Sequence, residues 1–146
     1  MPNKLSTVKI SCEIGAIAIV SSEPLYRLCW LLNQHFGWSL SETGKLSLMH
    51  PERKEIQSFY AYCWHDEATN TKYLLIQNKG AQGPFDTTLK QADYWLRIEG
   101  GANITDISAK IKSMNEIQLS QVIKRSDLKK NSFVFQPTLS SPYCNG

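Results

Sequence analysis

Asp93 is the first residue that could do chemistry, because an acid at the head of a buried strand can serve as a general acid or base. It stands between Ala92 and Tyr94 in the run LKQADYWLRIEGG. Catalysis would require a proton-transfer partner within hydrogen-bond reach and a pocket, and no sequence neighbour supplies one. Its side chain is expected on the sheet face opposite Tyr94. We therefore expect Asp93 to bind loop amides or to pair with a neighbouring cation, with an ion pair to Arg27 as an alternative.

Cys63 and His65 form the second candidate pair. They lie two residues apart on a predicted strand and so share a face. Such a pair could be a nucleophile with its base, or half of a metal site. The favoured interpretation is a packed cysteine and a partly exposed histidine near a turn. His35 and His50 have no acid or thiol at ligand spacing, and no metal site is predicted.

No cofactor motif is present in the sequence. There is no phosphate-binding loop, no GxGxxG after a strand and no GxSxG elbow. The run EGGANIT places two glycines before a helix and could cradle an anion, but a tight turn is the preferred interpretation. We expect no cofactor.

The cysteines and the N-terminal residues predict a cytoplasmic location. The spacing of Cys12, Cys29, Cys63 and Cys144 matches no CxxC or zinc pattern, which favours buried thiols in a reducing compartment. The N-terminal residues lack the apolar core of a secretory signal. The most apolar run, IGAIAIV, is too short to cross a bilayer, so no membrane association is expected.

Length and composition are typical of one globular domain. The 146 residues are 42% hydrophobic and 20% charged, with a net charge of +3. We assign residues 1–136 to a single domain and 137–146 to a disordered tail. A stretch from Lys112 to Lys130 carries the basic excess. Acids are interspersed in it, so nucleic-acid binding is possible but not favoured.

The order of elements predicts an α+β fold. Asn103 is expected to cap the second helix and Gly37 to end the first. Two helices on one face of a mostly antiparallel sheet give a two-layer sandwich, with a ferredoxin-like arrangement as the natural expectation. The predicted elements are a strand in 7–22, a helix to Gly37, a short edge strand KLSLM, a hairpin of 55–66 and 71–79, a strand QADYWLRIEG, a helix from Asn103 and a strand 116–124, with a turn SDLKK and a strand SFVFQ after it.

Three segments resemble the IPExxxVDY family of small bacterial proteins. They are SSEPLYRLCWLLN, YLLIQNKG and LKQADYWLRIEG, and the resemblance runs from about residue 10 to 135. Asp93 and Tyr94 stand at the DY of the naming motif and Ala92 at its valine. Asp86, Thr87 and Thr88 fall where IPE would be. The resemblance implies a bacterial cytoplasmic domain and adds no mechanism.

An aromatic row is the most informative surface feature. Tyr60, Tyr62 and Trp64 share one face of a strand, Tyr73 lies on the returning strand, and Trp95 and Arg97 lie on the next. If these faces coincide, the sheet presents aromatics with a cation. A second subunit or the protein's own loop 39–54 would then cover it, and base stacking or a ligand pocket are the other uses.

These observations favour a non-enzymatic protein-interaction or scaffolding domain. It would use this face to self-associate as a homodimer or to bind a protein partner. The candidate binding residues are Tyr60, Tyr62, Trp64, Tyr73, Asp93, Trp95 and Arg97. Two alternatives stay open. One is a single-stranded RNA binder that uses the aromatic residues with Arg97. The other is a small-molecule binder or enzyme with a site built from Asp93, Arg97 and His65.

Overall fold

The computed structural model describes residues 14–49, 56–80, 83–84 and 91–123. Several predicted features lie outside these ranges. They are the first half of the 7–22 strand, the turn SDLKK, the strand SFVFQ, the residues of the IPE position and the tail 137–146.

The main described elements follow the predicted order, with a strand, a helix, a run of strands, a second helix and a final strand. They are β1 (Ile14–Val20), α1 (Leu25–Phe36), β2 (Ser41–Met49), β3 (Ile56–Asp66), β4 (Thr71–Gln77), β5 (Lys79–Gly80), β6 (Gly83–Pro84), β7 (Tyr94–Gly100), α2 (Ile104–Lys112) and β8 (Leu119–Ile123).

The architecture is α+β, as predicted. The described strands form a six-stranded sheet in the order β2-β3-β4-β7-β1-β8, and every neighbouring pair is antiparallel. Both helices pack on one side, which we call the helix face; the other side is the far face. After β4, Lys79–Gly80 pairs with Gly83–Pro84 in a separate two-residue ladder.

Both faces of the sheet are buried. The larger core cluster lies between the helices and the helix face, and includes Ile17, Leu28, Leu32, Leu75, Leu96 and Ile111. A second cluster lies on the far face and includes Ala16, Phe59, Ala61, Leu74, Ile76 and Trp95. Strands buried on both faces have continuous apolar runs rather than alternation, which explains the runs IGAIAIV and YLLI.

Ser21 and Ser22 stand where either could cap helix α1, but the helix begins without a side-chain cap. Pro24 is the N-cap residue, and its carbonyl accepts the amide of Leu28 at 2.9 Å. The Ser21 hydroxyl instead accepts the Glu23 amide and donates to the Glu116 carbonyl. Gly37 ends the helix as predicted, with a left-handed φ of 70° that glycine adopts at little cost.

Helix α2 begins as the sequence predicts. The Asn103 side chain accepts the amides of Thr105 and Asp106, at 3.0 and 3.2 Å. Ile107 and Ile111 point inward and Lys110 is exposed. These bonds satisfy amides that would otherwise lack partners at the helix start.

Strand β2 corrects the expectation that loop 39–54 could cover the sheet. The residues from 41 to 49 form the edge strand and pair with β3, from Ser41 opposite Cys63 to Met49 opposite Ile56. The short KLSLM strand is therefore confirmed and is longer than predicted. A bulge between Glu42 and Gly44 interrupts its register.

Gly100 should tolerate substitution far less well than Gly37, although both have positive φ. A Cβ at Gly100 would overlap the Asn70 carbonyl oxygen, whereas one at Gly37 meets no described heavy atom within 4 Å. We expect Gly37→Ala to cost about 1 kcal/mol and Gly100→Ala to cost more than about 2 kcal/mol. Denaturant unfolding measures both, and equal losses would contradict the expectation.

Candidate functional site

Asp93 is a structural residue at the head of β7, as expected. Its Oδ2 accepts the Ser21 amide at 3.0 Å and its Oδ1 pairs with the Lys79 ammonium at 2.6 Å. Its own amide donates to the Ile19 carbonyl at 2.8 Å. The alternative partner, Arg27, lies instead 3.8 Å from a Glu23 carboxylate oxygen. Both oxygens of the Asp93 carboxylate are therefore engaged in holding the chain.

Tyr94 extends this hold to the start of α1. Its hydroxyl donates to the Glu23 carbonyl at 2.5 Å. Burial, helped by the negative charges of Asp93 and Glu23, raises the pKa of Tyr94 above its usual value. We call the bonds from Asp93 and Tyr94 to Ser21 and Glu23 the corner clamp, because they fix the turn from β1 into α1.

Asn78 and Trp95 complete the polar contacts around this end of β7. The buried Asn78 side chain donates to the Ala92 carbonyl at 2.9 Å and accepts the indole N–H of Trp95 at 3.1 Å. The backbone N–H of Asn78 donates to the Asp93 carbonyl. Trp95 is fully buried, so it contributes to packing rather than to a binding surface.

The predicted aromatic row does not form one surface. In the register, Tyr62 lies opposite Leu75, and Leu75 lies opposite Leu96. Side chains opposite each other share a face, so Tyr60, Tyr62, Trp64 and Tyr73 lie on the helix face. Trp95 and Arg97 lie on the far face. The expectation that these faces coincide is wrong, because the aromatic residues of β3 and β4 face the helices, whereas Trp95 and Arg97 face away from them.

Arg97 is buried in the far face, with only 1% of its surface exposed. One guanidinium nitrogen donates to a Glu99 carboxylate oxygen at 3.1 Å. Its register neighbours are Leu74 on β4 and Ala16 on β1. A charge in this setting stabilises the fold only while it is paired, and it is not presented to a ligand at the surface.

Trp64 and Tyr73 belong to an aromatic stack with Phe36, the last residue of α1, and Trp38, which follows the helix. Phe36 stacks on Trp38 at 4.3 Å between ring centroids, and Trp38 lies 4.3 Å from Tyr73. Trp64 follows at 5.7 Å from Tyr73. This stack secures the C-terminal end of α1 to the sheet, with Tyr73 between Trp38 and Trp64.

Cys63 and His65 lie in different surroundings. Cys63 is buried on the far face, and the imidazole Nε2 of His65 lies 3.3 Å from the Asn70 side-chain oxygen at the hairpin turn. Cys29 is also a buried thiol, and burial raises its pKa to about 11. Across the described ranges, no group of three or more metal-ligating side chains is found.

The glycines of EGGANIT form a tight turn. The Ala102 amide donates to the Thr71 hydroxyl at 3.0 Å, and Asn103 occupies the next free amides of α2. These amides are therefore already bonded within the chain, which leaves little for an anion to bind.

The exposed apolar residues are concentrated on one side of the molecule. Five large hydrophobic side chains of the described chain are exposed, and four of them lie on α1 or on the helix face of β3. We call these four the aromatic flank: Tyr26, Trp30, Ile56 and Tyr60. Their exposed fractions run from 46% to 67%. The fifth, Leu119, lies on β8 at the opposite edge of the sheet.

Contacts of α1 show which way the flank faces. The Asn33 side chain bonds both the amide and the carbonyl of Leu40, the residue before β2. Tyr26 is seven residues before Asn33 and Trp30 is four after Tyr26, so both follow this line of the helix surface. Asn33 therefore faces the start of β2, and Tyr26 and Trp30 lie beside it on the exposed side of the helix.

Tyr60 lies at the same level of the sheet as the start of α1. Its amide donates to the Gln77 side chain, and Gln77 is opposite Tyr94 in the register. Tyr94 in turn bonds Glu23, two residues before α1. The start of α1 and Tyr60 therefore lie at the same end of the sheet, on its helix face.

Two cations and two acids accompany the aromatic flank. The guanidinium of Arg27 lies 5.1 Å from the Trp30 ring centroid, and the ammonium of Lys45 lies 5.3 Å from that of Tyr60. Glu23 pairs with Arg27. Glu42 lies opposite Tyr62, whose pKa is raised by burial and by the Glu42 charge.

Sequence reasoning missed Tyr26 and Trp30, although the signal was present. Tyr26 and Trp30 are four residues apart and lie on the side of an amphipathic helix away from its apolar stripe. Aromatic residues in these positions face solvent. Of the predicted binding residues, only Tyr60 is among the strongly exposed ones, while Tyr62 and Trp64 are half-buried. The exposed surface is thus shared between α1 and β3.

No family model, curated protein or solved structure matches this chain. Neither described helix is long and apolar enough to span a membrane. The candidate site is therefore defined by the geometry of this chain alone.

Loss of the Asp93 carboxylate should destabilise the fold more than loss of its exposed partner. We expect Asp93→Ala to lower the free energy of unfolding by about 2 kcal/mol, since a charged hydrogen bond to Ser21 is removed. Lys79→Ala should cost under about 1 kcal/mol because that ion pair is exposed. Tyr94→Phe should cost about 1 kcal/mol. Urea unfolding compares the three variants, and a Lys79→Ala loss equal to that of Asp93→Ala would contradict this ranking.

Cys29 should make the free energy of unfolding fall as the pH rises into the alkaline range. Its raised pKa favours the neutral thiol in the fold, so its contribution is complete below about pH 9 and is lost as pH rises to about 11. Cys29→Ala should therefore flatten the fall in unfolding free energy over this window. Urea unfolding at several pH values measures the slope, and an unchanged slope would refute the assignment.

Proposed function

We propose that this chain is a non-enzymatic protein-interaction domain that binds a protein partner through the aromatic flank. The observation that carries the proposal is the concentration there of four of the five exposed large hydrophobic side chains in the described ranges. Single exposed apolar residues are ordinary, whereas a contiguous group rimmed by polar residues is typical of an interaction site. Tyr, Trp and Arg, the types most common at binding hot spots, are all present.

A protein partner suits the flank better than RNA. Base stacking requires ring faces that are open to a base, and cations already lie over Trp30 and Tyr60. The acids Glu23 and Glu42 border the same surface and would repel phosphates. Arg97, a residue that the RNA hypothesis uses, is buried on the far face.

An enzyme site built from Asp93, Arg97 and His65 is disfavoured by distance. Glu99 lies opposite Lys72, and Lys72 lies opposite His65, so His65 is level with the far end of β7. Six residues of strand separate Asp93 from that level, or roughly 20 Å. The side chains of Asp93 and His65 therefore cannot act on one small substrate together.

The strand order supports a ferredoxin-like core as a finer description of the fold. β1 and β4 are parallel through their shared neighbour β7, and α1 lies between them in the chain. β7 and β8 are likewise parallel around β1, with α2 between them. Each pair of parallel strands with its helix is a βαβ unit, and two interleaved units form the split βαβ arrangement. Strands β2 and β3 extend this sheet beyond β4.

Membership of the IPExxxVDY family and a cytoplasmic location remain part of the proposal. The family proposal rests on the resemblance of the sequence, in which Asp93 and Tyr94 form the DY pair, and these two residues make the corner clamp. The buried thiols of Cys29 and Cys63 are compatible with a reducing compartment.

Photocrosslinking tests the proposed surface. A photoreactive benzoylphenylalanine at Trp30 should give a discrete protein adduct in the cell that makes this chain, and the same group at Leu119 should not. Excess wild-type protein should abolish the adduct, and excess Tyr26→Ser protein should not. The proposal fails if the Trp30 position gives no protein adduct, or gives an adduct that nuclease removes.

A further inference from the structure

We infer that the partner seated on the aromatic flank is a second copy of this chain, packed flank to flank about a two-fold axis. The inference rests on the proposed function, because it names the partner of that same surface. A two-fold contact places the same patch on both sides, so the patch must complement itself in charge as well as in shape.

The charges around the flank satisfy this requirement. Two cations, Arg27 and Lys45, and two acids, Glu23 and Glu42, accompany the aromatic residues. A strongly acidic or strongly basic partner would meet like charges on part of this surface, and such contacts are costly. A copy turned by a half rotation presents both signs again, so that each cation can meet an acid across the axis.

Extension of the sheet from β2 is a poor alternative route to a dimer. The strand has a bulge at its start, where Gly44 has a φ of 88° and the Thr43 hydroxyl donates back to the Ala61 carbonyl of β3. Lys45 follows directly. Bulges and lysines on an edge strand oppose pairing with another strand. Side chains of the flank, rather than the backbone of β2, therefore make the contact.

The flank also has the composition of a stable contact centre. Trp30 and Tyr26 stand one helical turn apart, and each ring offers a large area with few rotatable bonds. Arg27 lies over Trp30 and already orients it. The rings are therefore partly preorganised, which lowers the entropy lost on association.

Sedimentation equilibrium over a wide micromolar range is the first test. We expect wild-type protein to form a dimer, and Tyr26→Ser combined with Trp30→Ser to weaken the dimer at least about thirtyfold, the effect of losing a hot-spot side chain. Leu119→Ser, an equally exposed site on the opposite edge, is the control and should leave the dimer unchanged. A wild-type monomer, or a dimer that the flank variant does not weaken, overturns the inference.

Charge reversal gives a sharper second test. One variant carries Glu23→Lys with Glu42→Lys, and the other carries Arg27→Glu with Lys45→Glu. Each alone should be monomeric because like charges meet across the axis, and an equal mixture should recover a heterodimer in native mass spectrometry. Circular dichroism confirms that both variants fold. Two variants that dimerise alone, or that fail to combine, refute the charge argument and with it the second copy.

The two proposals fail in different ways. A protein adduct at Trp30 from a chain that sediments as a monomer overturns the second copy and leaves the interaction domain standing. Absence of any protein adduct at Trp30, with a monomeric chain, overturns both.

Discussion

The corner clamp is the constraint on which the rest of the structure depends. A helix is aimed by its first turn, and here that turn follows residues held from three directions. Asp93 binds the Ser21 amide, Tyr94 binds the Glu23 carbonyl, and the Ser21 hydroxyl reaches the Glu116 carbonyl before β8. Because these bonds fix α1 relative to β1, β7 and the start of β8, they also decide where Tyr26 and Trp30 face.

The aromatic stack provides the second fixed point of α1. It joins the residues around Gly37 to β3 and β4 through Trp38 and Tyr73. The helix is thus held at its first turn by hydrogen bonds and at its last by ring packing. An exposed aromatic pair on a helix held at both ends is a rigid surface, and rigidity reduces the cost of ordering side chains when a partner binds.

Much of the fold could be predicted from local patterns. The cap at Asn103, the stop at Gly37 and the hairpin of β3 and β4 each follow from a few neighbouring residues. The surface could not be predicted in the same way. Which residues of β3 face the helices depends on how β3 pairs with β4 and how β4 pairs with β7, and both faces of β3 carry apolar or aromatic side chains. Such a pattern gives no sign of which face is outward, so the prediction that Tyr60, Tyr62 and Trp64 share a face with Trp95 and Arg97 is wrong.

Asn78 has a consequence for the connection between β4 and β7. Its amide and side chain bond the carbonyls of Asp93 and Ala92, so the points where this connection leaves and returns are tied to each other within the sheet. A loop whose ends are already closed tolerates changes in length, since each doubling costs only about 0.6 kcal/mol in closure entropy. The bonds of Asn78 therefore hold the end of β4 beside the start of β7 whatever the length of chain that joins the two strands.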